Sequence, residues 1–351
     1  MVILIVAIFL ILLLGWSSQL WGYRDRSVEK LSVNLDRVFD PRCLPITKRH
    51  KEGSKSAIIM VHGFPSTPYS FTYAAQRGYE AGYDVYVPLL PGFGTAVEDL
   101  YDTTFTQWYN YLKELFLEKR GEYDHLYVLG TSMGGAMTLR LGEEMQGNNA
   151  PDGLVTVAAP VFLNDLRLGA VQNWLFYFMR IVGLFTPALS PTIYKGGEVE
   201  NDGDELWMGY KGSFIRGGVS FMHALKSIRK NLNQIEVPLM ALHDRGDRTV
   251  RFENLAEIEK GVNSSNFISY PTAMEGSHRK HVLLMYHSVQ EQLMDDILTF
   301  LGENKRSRGW SAPIILVGMS ISWGLPCYQH SGVKTHTPKW GRVSSTPTRR
   351  L

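Results

Sequence analysis

"VLGTSMGGAMTLRLG", residues 128–142, runs from an apolar stretch through a glycine-rich knot into a helical pattern. Within it, Gly130-Thr131-Ser132-Met133-Gly134 fits Gly-x-Ser-x-Gly. An isolated five-residue match of this kind reads as an ordinary turn. Here a strand pattern at 125–129 precedes it and a helix pattern at 133–144 follows. That frame points to a nucleophile, because small neighbours permit a tight corner that holds the serine hydroxyl clear of the sheet, above a helix N-terminus.

A serine hydroxyl is a weak nucleophile alone. It needs a base, and the base needs an orienting acid. "ALHDRGDRTVRF" (241–252) follows a strand pattern at 237–242 and offers Asp244 and Asp247 as acids; either can instead cap a helix or pair in a loop. "MEGSHRKHVLLMYH" (274–287) follows a strand pattern at 266–270 and offers His278, His281 and His287. Of these, His281 is taken as the base with His278 as the alternative, since His287 lies among residues patterned for packing. "IIMVHGFPST" (58–67) turns at His62-Gly63-Phe64, so the backbone N–H of Phe64, with that of Met133, is placed to receive an oxyanion. His62 is read as a brace of that loop.

Working outward, short apolar runs at 57–61, 84–89 and 153–158 alternate with helical patterns at 71–81, 106–119, 252–260 and 288–301. Buried strands alternating with helices indicate an α/β fold with a mostly parallel central sheet flanked by helices. The alternation breaks at 162–234, which lacks a convincing strand and carries apolar helical stretches at 174–185 and 217–225. It is predicted to be a helical cap inserted into a domain spanning 55–301. Trp174, Phe178 and Phe185 in this cap are the expected acyl-binding residues.

The 351-residue chain is 44% hydrophobic and 20% charged with a formal net charge of +2, an ordinary globular balance that argues against a nucleic-acid binder. Two distant cysteines, Cys43 and Cys327, make neither a disulfide framework nor a zinc site. Residues 1–23 hold no charged side chain, and 2–14 is continuously apolar. This segment is read as a membrane anchor, with a cleaved secretory signal, and hence a secreted or periplasmic product, as the alternative. Trp16, Trp21 and Tyr23 suit a lipid–water interface, and Arg24, Arg26 and Lys30 favour a cytoplasmic main domain. Residues 24–54 are read as a linker. The stretch 302–351, with scattered Pro, Ser, Trp and basic residues, is read as an irregular or disordered tail.

Taken together, His62-Gly63-Phe64, "VPLLPGFG" (87–94), "GTSMGG" (130–135), "HDRGDRTV" (243–250) and "SHRKHVLL" (277–284) resemble, in order and approximate spacing, the motifs of the α/β-hydrolase superfamily. The chain is most similar to small bacterial carboxylesterases and monoacylglycerol lipases, over about 55–301. The resemblance implies a Ser132–His281–Asp247 triad, with Asp247 preferred over Asp244 as the acid, and hydrolysis of a lipid-like ester without metal or organic cofactor. It departs from the usual pattern at the base, where Ser277-His278 precedes Arg279-Lys280-His281-Val282. Val282-Leu283-Leu284 suits His281, and Ser277 suits His278. Rival readings are a serine aminopeptidase, for which Glu198, Glu200, Asp202, Asp204 and Glu205 offer carboxylates, an acyltransferase, or a non-catalytic binding protein.

Overall fold

The computed structural model describes residues 1–16, 22–163, 173–197, 202–203, 207–264, 266–276 and 279–307. Its centre is a seven-stranded sheet built from β1 (Ile46–Lys48), β2 (Ser56–Val61), β3 (Asp84–Val87), β4 (His125–Thr131), β5 (Gly153–Val157), β8 (Leu239–Asp244) and β9 (Phe267–Thr272). The spatial order is β1-β3-β2-β4-β5-β8-β9, with every pairing parallel except the antiparallel edge β1–β3. All six residues of β2 are buried, as a strand covered on both faces requires. Its side chains alternate between two cores. Ala57, Ile59 and Val61 meet α3 (Phe105–Arg120), α4 (Met133–Glu144), α6 (Ile215–Asn231) and α7 (Glu253–Gly261) on one face. Ile58 and Met60 meet α2 (Thr72–Glu80) and α8 (Gln290–Ser307) on the other.

The sheet and its flanking helices are those expected from the alternation. Two features of the organisation differ. The segment 24–54 is no free linker: it supplies β1, buries Cys43 and grips α3 and α6. Asp25 accepts hydrogen bonds from Thr106 Oγ1 and Ser220 Oγ, and Gln107 Nε2 donates to Ser27 Oγ at 2.9 Å. Such polar anchors leave no periodic trace in sequence. The segment 162–234 is not purely helical. Between α5 (Trp174–Phe185) and α6 it forms an antiparallel hairpin of β6 (Ala188–Tyr194) and β7 (Gly209–Phe214). Four of the seven residues of β6 are exposed and the other three only partly buried, so it carries little of the apolar signal that marks a core strand. Much of α6 also belongs to the main core through Phe221, Leu225 and Ile228.

The apolar run at the N-terminus is helical. α1 (Val2–Trp16) has 15 residues, and the described side chains of 1–13 are exposed. Among the described residues no helix is long and apolar enough to cross a membrane; residues 17–21 of the expected anchor segment lie outside them. The tail is partly helical, since α8 continues to Ser307; residues 308–351 lie outside the described residues.

One buried acid in α4 has a measurable consequence. Glu143 is 3% exposed, neither of its carboxylate oxygens is hydrogen-bonded, and Arg140 approaches only to 4.0 Å. Burial raises its pKa to about 8, against the opposing pull of Arg140. The unfolded chain releases this proton near the usual ~4.3, whereas the folded chain keeps it. Its contribution to stability is therefore full at acid pH and is lost as pH rises towards about 8, by a few kcal/mol in all. Glu143→Gln, neutral throughout, is expected to flatten this loss. The Tm difference, variant minus wild type, should grow by several degrees between about pH 4 and pH 8. A constant difference would show that Glu143 ionises normally in the fold.

Candidate active site

The site is assembled at the carboxyl ends of β2, β4, β8 and β9. Ser132 follows β4 directly and immediately precedes α4, with φ 55° and ψ −120°, a backbone region disfavoured for a side-chain-bearing residue. Its N–H donates to Val157 O at 2.8 Å and its carbonyl accepts from Ala136 N at 3.0 Å, which holds the corner in place. The corner needs glycine at 134, where a Cβ would lie 2.0 Å from the Val61 carbonyl oxygen. Ser132 is 8% exposed.

The loop after β2 is pressed against this serine. A Cβ on Gly63 would lie 2.9 Å from Ser132 Cβ, so the close approach requires glycine there as well. His62 braces the loop, as expected. Burial lowers its pKa to about 4, so the ring is neutral at physiological pH. Its Nε2 accepts from Leu90 N–H at 3.2 Å, which leaves Nδ1 to donate to Gly63 O at 3.1 Å. Phe64 follows at once, its ring packed edge-on to Phe93 and Phe214. Met133 is the first residue of α4, so its N–H has no acceptor within the helix.

The two aspartates left open by the sequence have separate fates. Asp244 is fully buried and ties β8 to β9: Oδ1 accepts from Gly246 N at 2.8 Å, and Oδ2 accepts from Thr272 Oγ1 at 2.8 Å and Met274 N at 2.7 Å. Asp247 instead meets His281, with Nδ1 2.7 Å from Oδ2. Its Oδ1 accepts from Thr249 N at 2.7 Å and Val250 N at 2.9 Å. The Asp247 side chain is fully buried. Burial alone would raise its pKa, but the hydrogen bonds from His243 and His281 prevail and hold it down at about 2. An ionised carboxylate therefore faces His281 at neutral pH and orients its ring. His278 lies outside the described residues.

Sequence reading missed His243. It is 1% exposed, and its Nε2 lies 3.2 Å from Asp247 Oδ2 and 3.1 Å from Val250 O. Both neighbours are acceptors, so Nε2 carries the proton and holds the carboxylate from behind. Its place four residues before Asp247 was visible in sequence, but a histidine inside a buried strand gives no sign of where its ring points.

A cavity of about 630 Å³ opens beside His281 and Phe64. Its outer wall is the β6–β7 hairpin, through Tyr194, Tyr210 and Lys211. The expected acyl-binding residues do not line it. Trp174, Phe178 and Phe185 are 43%, 58% and 77% exposed on α5. That helix buries its other face, Phe176, Arg180 and Gly183, so the large apolar residues chosen from sequence are turned to the outside.

A mostly parallel seven-stranded sheet, a serine on a strained strand-to-helix corner and a loop-borne Asp–His pair at the same sheet edge define an α/β-hydrolase. Residues 52–281 match the family described as serine aminopeptidase, S33, and the chain belongs to that family. It is 34% identical over 122 residues to a thermostable monoacylglycerol lipase of Bacillus sp. (strain H-257), a match covering 34% of this chain and 47% of the lipase. The chain thus spans about half the length of that relative. A Bacillus subtilis (strain 168) carboxylesterase is 21% identical over 208 residues, covering 58% of this chain and 76% of the esterase. A solved structure from the metagenome-derived lipolytic enzymes LipS and LipT aligns with a TM-score of 0.61 at 21% identity, covering 75% of this chain and 98% of that one. This last likeness bears on the fold alone.

Proposed function

We propose that the protein hydrolyses carboxylic esters, of the short- to medium-chain acyl or monoacylglycerol kind, through an acyl-enzyme on Ser132. The observation that carries this reading is the 2.7 Å Asp247–His281 pair at the sheet edge where the Ser132 corner also lies. With Nδ1 of His281 engaged by Asp247, Nε2 is the nitrogen left to take the Ser132 proton. Ser132 Oγ attacks the ester carbonyl carbon, and the N–H groups of Phe64 and Met133 hold the resulting oxyanion. One such donor contributes about 2.7–4 kcal/mol in comparable sites. The C–O bond breaks, and the imidazolium returns its proton to the departing alcohol. Water then attacks the acyl-enzyme by the same route and releases the acid. Asp247 remains a carboxylate throughout and stabilises the imidazolium.

The relatives named as a monoacylglycerol lipase and a carboxylesterase support an ester over an amide substrate. The family description favours the aminopeptidase reading, which needs a carboxylate to receive the substrate amine. Asp202, one of the acids considered for that task, accepts from Ser288 N at 2.7 Å and from Ser288 Oγ just before α8. Glu198, Glu200, Asp204 and Glu205 lie outside the described residues. The two readings separate in one experiment. A fluorophosphonate should label the Ser132 peptide, and 4-nitrophenyl acyl esters should be turned over far faster than aminoacyl 4-nitroanilides. Labelling at a different serine, or faster release of nitroaniline, would overturn the proposal.

A further inference from the structure

The cavity beside His281 carries charge that a neutral acylglycerol does not use. Among its described lining residues are two permanent cations and no carboxylate. Lys211 projects from β7, and Arg279 stands two residues before His281. The Lys211 ammonium sits 3.4 Å from the centroid of the Tyr194 ring, which itself leans on Trp207 at 5.3 Å. This contact fixes the charge on the aromatic wall without neutralising it. Three cations of the loops after β8 and β9 have partners. Arg251 pairs with Glu253 at 3.0 Å, Arg245 lies over the Phe252 ring, and Lys280 donates to the Met274 carbonyl. Among the described residues, Lys211 and Arg279 meet no carboxylate.

Two cations that meet no carboxylate among the described residues line one aromatic cavity and concentrate positive potential there, and charge-assisted hydrogen bonds to an anion are about twice as strong as neutral ones. We propose that Lys211 and Arg279 select esters bearing a carboxylate or phosphate group remote from the scissile bond. This rests on the ester-hydrolase reading above and names its substrate class. The same two cations disfavour a free ammonium group, so the selection runs opposite to that of an aminopeptidase.

Two matched pairs of substrates test the proposal and locate the anion. On the acyl side, 4-nitrophenyl hexanoate is compared with the mono-4-nitrophenyl ester of adipic acid. On the alcohol side, monohexanoylglycerol is compared with hexanoylglycerol 3-phosphate. The readout is the ratio of kcat/KM, anionic over neutral, within each pair. For the wild type, at least one ratio should exceed one and fall several-fold as salt rises from about 0.01 M to about 1 M. In the Lys211→Gln/Arg279→Gln variant the same ratio should fall by about tenfold, as loss of charge-assisted contacts requires. Neutral esters hydrolysed with both ratios at or below one and independent of salt would overturn the charge selection alone. Ratios in the double variant within about twofold of wild type would do the same. The wild-type salt series decides the matter if that variant does not fold. No hydrolysis of any of the four esters would overturn the ester reading and this inference with it.

Discussion

Ser132→Ala is expected to lower kcat for a 4-nitrophenyl ester by about five to six orders of magnitude and to abolish fluorophosphonate labelling. The residual rate should be that of binding and the oxyanion site alone. The fold should survive, because the features that hold the corner are backbone groups: Ser132 N to Val157 O, and Ala136 N to Ser132 O. Alanine accepts the φ of 55° no worse than serine, so the thermal midpoint should move by no more than a few degrees. Full labelling of the alanine variant, or an unchanged kcat, would assign the nucleophile elsewhere.

His281→Ala is expected to have an effect of similar size, with the Ser132→Ala/His281→Ala pair no slower than either variant alone. Members of a triad act as a unit, so their losses do not add. The substitution also withdraws one of the hydrogen bonds that hold the Asp247 carboxyl at about 2. His278→Ala provides the control. A collapse of kcat in the His278 variant, with His281→Ala nearly as active as wild type, would transfer the base to His278. Additive losses in the double variant would argue against a shared step.

The readings that held share a physical basis. A strand covered on both faces must be apolar throughout, and a flanking helix must show a 3.6-residue stripe. Hence β2, β4, β5 and α4 stand out as runs and stripes in the sequence alone. The serine corner was legible because its backbone geometry tolerates so few residues: Gly134 is demanded by an approach of 2.0 Å to a carbonyl oxygen. The readings that failed concern surfaces turned to one side or the other. α5 spans the twelve residues expected of it, yet which of its apolar faces is buried depends on where α6 lies. Trp174, Phe178 and Phe185 were singled out for size, and the packing of Phe176 on Val219 and Met222 turned them outward.

What the sequence determined by itself is the local part: strand and helix periods, the Gly-x-Ser-x-Gly corner, and the order of serine, acid and histidine along the chain. These follow from steric and hydrophobic constraints acting over a few residues. Only the tertiary structure decided the pairings. It placed Asp247 on His281 while fastening Asp244 across β8 and β9, it set His243 behind the carboxylate, and it turned β6 and β7 into the outer wall of the cavity. Each of these joins groups distant in sequence, or points one side chain at another. A carboxylate and an imidazole 34 residues apart carry no mark of their contact until the parallel register of β8 and β9 brings the following loops together.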